Sequence, residues 1–377
     1  MDHERARYHA EVSGPRIFAL NAHATYACRH SHACCTAGWS IPVEPQKVTL
    51  LGGDWLVPRD DGACPQLDRQ GRRCRVHRDH GEPALPDSCR HFPRRSLIDD
   101  RGTFVSLSHF CPTAARLLLE DTAPLTIVES PAAFPAEREY DGLDARGEWP
   151  PLLCPGILFD SESFNRWEQF LVSAFGTGTT DVDARLVHVA LAAEALRRWR
   201  IDDGPLVEWT TRVLHTHADA GRQAVAPHVV SATQHRYARF QGAAAYRAVC
   251  DTIPPGLEAP ALPDDLDALD GVGVEPRWRP FAPLLGRFLA AKAFASWTAY
   301  QSRGIRTQVA ELVATASVLR IECARACADS SRALDLDGII TAVRNTDWLL
   351  IHLADRSALM EWLDTVEDDH ADATARP

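Results

Sequence analysis

The chain has 377 residues, of which 45% are apolar and 24% charged, and its formal net charge is −11. That length suits two or three domains, and the composition is that of a globular protein able to bury a core without a metal to rescue it. The acidic balance argues against a nucleic-acid partner and against an anionic membrane surface, since both select clustered Lys and Arg.

The N-terminal stretch Met1–Glu11 is polar and has no apolar core of the kind that directs secretion. Apolar runs such as Val187–Ala193 fall far short of the roughly 20 residues that span a bilayer. A cytoplasmic protein is therefore expected. Thiols stay reduced in that compartment, so cysteines read as metal ligands or reactive groups rather than disulfides.

In chain order, Val48–Leu51 reads as a short strand ended by Gly52-Gly53, and Asp60-Asp61-Gly62 and Asp68-Arg69-Gln70-Gly71 read as turns. Cys64 and Cys74 flank the last of these, which suggests a hairpin that joins their thiols. Phe104–Leu107 reads as a strand, and Pro112 suits the first turn of a helix over Thr113–Glu120. Residues 121–160 are rich in proline and acidic residues, lack periodicity, and read as a linker. From Glu162 onward the period is helical: Phe164, Trp167, Phe170 and Leu171 share one face, and Asp181 suits the N-cap of the next helix. A proline-rich connection over 252–283 separates this block from helices over Leu284–Tyr300, Ile305–Asp329 and Leu334–Leu363.

The fold class expected is mostly α, with a small, irregular, cysteine-rich α+β metal-binding domain over 1–120 and a helical domain over 161–365. The helical domain is expected to fold without the metal, and 366–377 to be a disordered tail.

Seven of the eleven cysteines lie in 28–111: Cys28, Cys34, Cys35, Cys64, Cys74, Cys89 and Cys111. All seven are candidate metal ligands. Four thiolates suffice for tetrahedral zinc or for an iron–sulfur cluster, so seven exceed the need of one structural zinc. The spacing is neither the paired C-x2-C of a zinc ribbon nor C-x3-C-x2-C, and taken alone it leaves zinc and iron–sulfur both open. The adjacent pair Cys34-Cys35 is poorly placed to close on itself, so each thiol is expected to have a different partner. Cys323 and Cys327, four apart in an apolar helical stretch, read as buried small hydrophobes. His215 and His217, two apart, do not share a helical face.

Four ordered motifs carry a resemblance. The first is Tyr26-Ala-Cys28, then Cys34-Cys35-x-x-Gly38-Trp39-Ser40-Ile41. The second is Cys64-Pro65-x-Leu67, then Cys74-Arg75-Val76 and Gly81. The third is Leu85-x-x-Ser88-Cys89-Arg90-x-Phe92-Pro93-Arg94, and the fourth Ser106-Leu107-Ser108-x-x-Cys111-Pro112-x-Ala114-Ala115-Arg116-Leu117-Leu118. Together they resemble the cysteine-cluster proteins described as zinc- or iron-chelating, and within them the flagellin lysine-N-methylases. The likeness is strong to residue 118 and looser over Trp167–Trp199, Leu284–Arg320 and Trp348–His352. It implies a protein-lysine methyltransferase that uses S-adenosylmethionine and a cysteine-bound iron–sulfur cluster, 4Fe–4S in type, on a protein substrate such as flagellin. A zinc- or iron-chelating or electron-transfer module on the same scaffold is the alternative. The family usually carries one more cysteine between the positions of Cys28 and Cys34, and its spacing from the CC pair to Gly-Trp is one residue shorter. His30 or His32 could stand in as a cluster ligand.

Methyl transfer needs a neutral lysine amine and a site for a sulfonium cation, which aromatic faces can hold. Trp39, beside the cysteine pair, is a candidate wall of the methyl-donor site. Arg90 and Arg94, beside Cys89, are candidates to bind the donor's carboxylate or the cluster's sulfurs. No Gly-rich loop of the Rossmann type is present, and no general base stands out.

Overall fold

The computed structural model describes residues 16–68, 70, 73–133, 142–218 and 227–368. In chain order the first part gives β1 (Ile17–Leu20), β2 (Ile41–Pro42), α1 (Val48–Leu51), β3 (Trp55–Leu56), α2 (Arg75–His80), α3 (Asp87–His91), β4 (Arg94–Asp99), β5 (Gly102–Leu107) and α4 (Pro112–Glu120). Short strands β6 (Ile127–Glu129), β7 (Gly142–Asp144), β8 (Leu152–Cys154) and β9 (Ile157–Leu158) follow. The helical part begins with α5 (Ser161–Gly176), α6 (Val182–Leu196), α7 (Leu206–Ala218), α8 (Pro227–Tyr237) and α9 (Gly242–Asp251). It continues through α10 (Leu266–Leu269), α11 (Glu275–Trp278), α12 (Ala282–Ala293), α13 (Thr298–Gln301), α14 (Ile305–Ser330), α15 (Leu336–Asp347) and α16 (Arg356–Asp364). The chain is thus mostly helical with a small sheet region. Among the described residues no helix is long and apolar enough to cross a membrane.

Five strands form a mixed sheet in the order β6-β1-β5-β4-β7. β4 and β5 are a hairpin in which Leu97 faces Phe104, and β1 runs parallel to β5 with Phe18 beside Phe104. Gly102 closes the hairpin at φ +141, and a Cβ there would lie 2.7 Å from the Arg16 carbonyl, so only glycine fits. The outer strands β6 and β7 come from the segment expected to be a linker; that segment is built into the sheet instead, apart from 134–141, which lie outside the described residues. Strands this short carry too few residues for a period-2 pattern to show in the sequence.

Other local expectations divide. The 64–74 hairpin forms: Leu67 bridges Cys74, Asp68 N–H donates to the Arg73 carbonyl at 2.8 Å, and its tip at 69 and 71–72 is outside the described residues. Asp181 caps α6 by accepting from Ala184 N–H at 3.0 Å. Val48–Leu51, by contrast, is a helical turn rather than a strand. Gly52, at φ +83, ends it with its N–H on the Val48 carbonyl, a C-cap that a four-residue apolar run does not announce. The connection over 252–283 is partly helical, and Val274 and Trp278 from it are buried. Of the expected tail, 366–368 belong to a final helical turn with Val366 fully buried, and 369–377 lie outside the described residues.

The main apolar core is continuous across the expected domain boundary. Leu20, Leu97, Phe104 and Leu118 from the sheet and α4 belong to the same cluster as Trp167, Leu285, Phe288 and Phe294 from the helices. Phe104 and Phe294 lie 6.1 Å apart, centroid to centroid, and Trp297 Nε1–H donates to the Ser96 carbonyl at 3.0 Å. Arg287 of α12 donates through Nε to the Leu118 carbonyl at 2.6 Å, satisfying an orphan acceptor in the last turn of α4. The helical part therefore does not stand apart from the sheet: a cut at 120 or 161 would bare these side chains.

The hairpin tip is clamped to the helices by a buried ionic network. Arg101 binds Asp99 at 2.8 Å and Glu168 of α5 at 2.9 Å; Tyr300 donates to Asp99 at 2.7 Å, and Ala295 N–H donates to Glu168 at 2.9 Å. The Asp99 and Glu168 side chains are 2% and 1% exposed, so removing the cation strands two carboxylates out of water. Arg101→Met is accordingly expected to cost about 3–5 kcal/mol in urea denaturation, the usual range for breaking a buried pair from one side. A loss within ~0.5 kcal/mol, the level of ordinary surface substitutions, would mean that the network is not what joins hairpin to helices.

Candidate functional site

The seven N-terminal cysteines all line one cavity of about 410 Å³. They are delivered by several short local devices. Cys34 and Cys35 sit on a 3-10 turn, Ala33–Thr36, with their sulfurs 3.9 Å apart. Cys64 follows, its N–H on the Cys35 carbonyl at 2.7 Å, so the hairpin is docked directly on the CC pair. Cys74 and Cys111 occupy the N-cap positions of α2 and α4, and Cys89 lies within α3. Cys28 is exposed on the entering loop. That loop turns twice through left-handed backbone at His30 and His32, a conformation rare for non-glycine residues. His30 packs on His77 with centroids 4.7 Å apart, and His30, His32 and His77 all border the cavity.

The thiols fall into two sets. Burial pushes the Cys89 thiol well up, and Cys34, Cys64 and Cys74 around it add to the effect. Cys34 is lowered by its bond with Cys35, which is pushed up in turn. These five are one electrostatic neighbourhood, with Cys64, Cys74 and Cys89 backed by the small apolar cluster of Val43, Leu51, Leu56, Val76 and Leu85. The second set is Cys111 with Tyr26, whose hydroxyl lies 3.5 Å from the Cys111 sulfur; Cys28 is near both sets, pushed up by burial and by Cys34 and Cys111. Burial raises Tyr26 above the usual phenol range, and Cys111 beside it does so further. Among the described residues no three Cys, His, Asp or Glu groups close around a single point as for one metal ion; the sulfurs line a wall.

The other wall comes from the far end of the chain. Helix α15 runs into a π-helical turn, Trp348–Leu353, which carries Trp348 and His352 against Trp39 at 5.7 and 5.0 Å. Phe92 and Phe110 complete the aromatic group at 5.3 and 5.6 Å from Trp39. His352 accepts from or donates to the Ser108 hydroxyl at 2.8 Å and is lowered to about 4 by burial, which leaves it neutral at pH 7. The π-turn is held by Asp347, fully buried. Its Oδ2 receives the His109 N–H at 2.6 Å and faces His109 Nδ1 at 3.1 Å, and its Oδ1 binds Lys292 at 3.1 Å. His109 Nε2 in turn lies 3.1 Å from His23 Nε2. Thus Asp347 pins His109, two residues before Cys111, to the helix that brings in His352.

Of the other sequence candidates, Trp39 lines the cavity and Arg90 and Arg94 do not. Arg94 donates to the carbonyls of Ala133, Arg90 and Tyr26 and covers the Tyr26 ring at 5.1 Å; it braces Tyr26 rather than facing a ligand. Arg90 pairs with Asp87 on its own helix at 3.8 Å. Only Arg90 shares α3 with Cys89; Arg94 opens β4, and neither guanidinium borders the cavity that Cys89 lines. Cys323 and Cys327 are buried, as expected. Phe92, Phe110 and His352 were not singled out; the Trp348–His352 motif was visible, but nothing local in it points to Trp39, more than 300 residues earlier.

Burial holds His23 well below the ordinary imidazole value, with His109 contributing in the same direction. A histidine kept neutral in the folded state loses ground once the unfolded chain takes up its proton. Its stabilising contribution is complete above about pH 6.5 and falls as pH drops below that. His23→Gln should therefore lower the slope of stability against pH below 6.5 by up to about 1.4 kcal/mol per pH unit, measured by urea titrations from pH 8 to 5. Parallel curves for the two proteins would contradict a neutral buried His23.

Compared with protein-family models, with curated proteins and with solved structures, the chain finds no match.

Proposed function

We propose that the chain is a protein-lysine N-methyltransferase that uses S-adenosylmethionine and a cysteine-ligated iron–sulfur cluster. The observation that carries the metal part is the convergence of all seven N-terminal thiols on one cavity. The methylase part rests on the four-motif resemblance to the flagellin lysine-N-methylases, with a flagellin-like protein as substrate.

The number of thiols on the cavity supports a cluster rather than a single ion. Four thiolates are the usual complement of a 4Fe–4S cluster, and Cys34, Cys64, Cys74 and Cys89 are mutual neighbours, with Cys35 beside them. These residues would hold it; a bound cluster supplies an electron relay or a Lewis-acid iron. Cys111 and Tyr26 stand at the other side of the same cavity, and Cys28 is near both sets. The volume is in the range of pockets that take small organic ligands, so the methyl donor has room. A sulfonium is a cation, and the faces of Trp39 and Phe92 are suited to it through their ring quadrupoles. The neutral His352 adds no positive charge to repel it.

Both of the chain's own lysines are tied up. Lys47 binds Asp87 at 2.7 Å and Glu44 at 3.1 Å, and Lys292 is bound to Asp347, each with little exposure. Methylation of the enzyme itself would be sparse, and label on a partner protein is readable without that background.

Anaerobically purified or reconstituted protein is expected to be brown and to contain iron and sulfide. Cys64→Ser and Cys89→Ser should lose the colour and loosen residues 28–91, because ligand binding to such a site is folding free energy. Mass spectrometry of flagellin or whole-cell protein incubated with labelled S-adenosylmethionine should find new methyl groups on lysine ε-amines, and none with the two serine variants. A colourless protein that holds zinc and binds no methyl donor would place the chain instead among non-catalytic zinc- or iron-chelating modules.

A further inference from the structure

A second, smaller pocket of about 90 Å³ is bordered by Leu350 and Ile351 of the same π-turn and shares no lining residue with the cysteine cavity. It is several times the ~10–15 Å³ that one water occupies, so it has room for a small polyatomic ion. Its charged lining is Arg95, Lys292, Arg356 and Glu311, with the hydroxyl residues Thr315, Ser106 and Ser296 beside them and Trp297 forming one side.

The charges do not balance. Glu311 is engaged by Arg356 at 3.0 Å and by the hydroxyls of Ser296 and Thr298 at 3.0 and 2.6 Å. Asp347 is engaged by Lys292 and His109. Three cations thus meet two carboxylates, and both carboxylates are taken. Arg95 is the cation left over. Its guanidinium stacks on Trp297 at 4.4 Å, which satisfies the face of the fork but not its N–H edge. Among the described residues no carboxylate lies within ion-pair distance of it. Burial lowers Arg95 to about 10 and Arg356 pushes the same way, while Asp347 and Glu311, out of contact with it, offset this only in part.

A second group points into the same space. Thr315 is 0% exposed, and its hydroxyl has no hydrogen-bond partner among the described residues. A threonine within a helix commonly returns its hydroxyl to the carbonyl four residues back; here it does not, and it lines the pocket. An orphan donor of this kind costs stability unless a ligand or water accepts from it.

We infer that this pocket is an oxyanion site, in which the edge of the Arg95 guanidinium and the Thr315 hydroxyl donate to the oxygens of a small carboxylate or of an inorganic oxyanion such as phosphate or sulfate. A planar fork opposite two oxygens is the geometry in which Arg binds such groups bidentately. The inference does not depend on the cluster or on methyl transfer, since none of its groups lines the cysteine cavity.

Calorimetric titration and thermal melts of the full chain with acetate, phosphate and sulfate, against sodium chloride at matched ionic strength, test it. One of the oxyanions should bind saturably and raise the melting temperature, while chloride does neither. Acetate alone acting identifies a carboxylate ligand, and phosphate or sulfate acting identifies a tetrahedral one. Arg95→Met should abolish the effect. Thr315→Val, which keeps the volume and removes only the hydroxyl, should weaken binding by about tenfold, as for one lost bond to a charged group. Arg95→Lys, which keeps the charge and loses the fork, serves if the Met variant does not fold, and should weaken binding likewise. No oxyanion binding above chloride, or binding undiminished in Thr315→Val and in the Arg95 variant, would overturn the assignment.

Discussion

A single buried carboxylate, Asp347, ties the two ends of the chain into one site. It is fully buried, a position that disfavours ionisation, yet Lys292 and His109 hold it well below the usual carboxylate range. An unpaired carboxylate there would be costly, so its partners cannot drift without exposing the fold to that cost. One partner, His109, lies in the short link between β5 and α4, two residues ahead of Cys111. The other, Lys292, lies on the central helix α12. Asp347 itself is the last residue of α15, where the backbone passes into the π-turn. The pairing therefore fixes the register between the Ser108–Cys111 link and the turn that presents Trp348 and His352.

That turn serves two cavities. His352 borders the sulfur-lined cavity, with Trp348 packed behind it on Trp39, while Leu350 and Ile351 border the pocket that Arg95 lines. π-helical geometry is uncommon and recurs at functional positions. Here it carries the chain from α15 to the break before α16 with side chains delivered to both cavities. The Ser108–His352 bond and the Asp347–His109 pair act on the same few residues.

How far the sequence foretold this depends on the range of the information. The 64–74 hairpin, the Pro112 helix start and the Asp181 cap are written within ten residues or so, and each is found in the structure. The helical period of α5, α6 and α14 is similarly local. The strands β6 and β7 escaped because three residues cannot display alternation, and their partners come from elsewhere in the chain. Arg90 and Arg94 were placed by proximity in sequence to Cys89, but their direction is set by Asp87, by the Ala133 carbonyl and by the Tyr26 ring. The aromatic wall and the Asp347 network join residues separated by more than 200 positions, and no pattern in a single sequence states that pairing. Only the chemistry of the residues hinted at it: a Trp, a His and an Asp inside otherwise apolar helical stretches need polar or aromatic partners somewhere.

The two walls of the sulfur cavity differ in what supports them. The aromatic wall rests on α15 and the main core, which is continuous from sheet to helices. The sulfur wall rests on short turns, on helices of five or six residues, and on a separate cluster of five buried side chains around Val43 and Val76. Regions with small cores and few long-range contacts open most readily, so the sulfur wall is expected to be the less stable of the two. Trp39, carried on the sulfur side and packed against Trp348 and His352, stands at the seam between them.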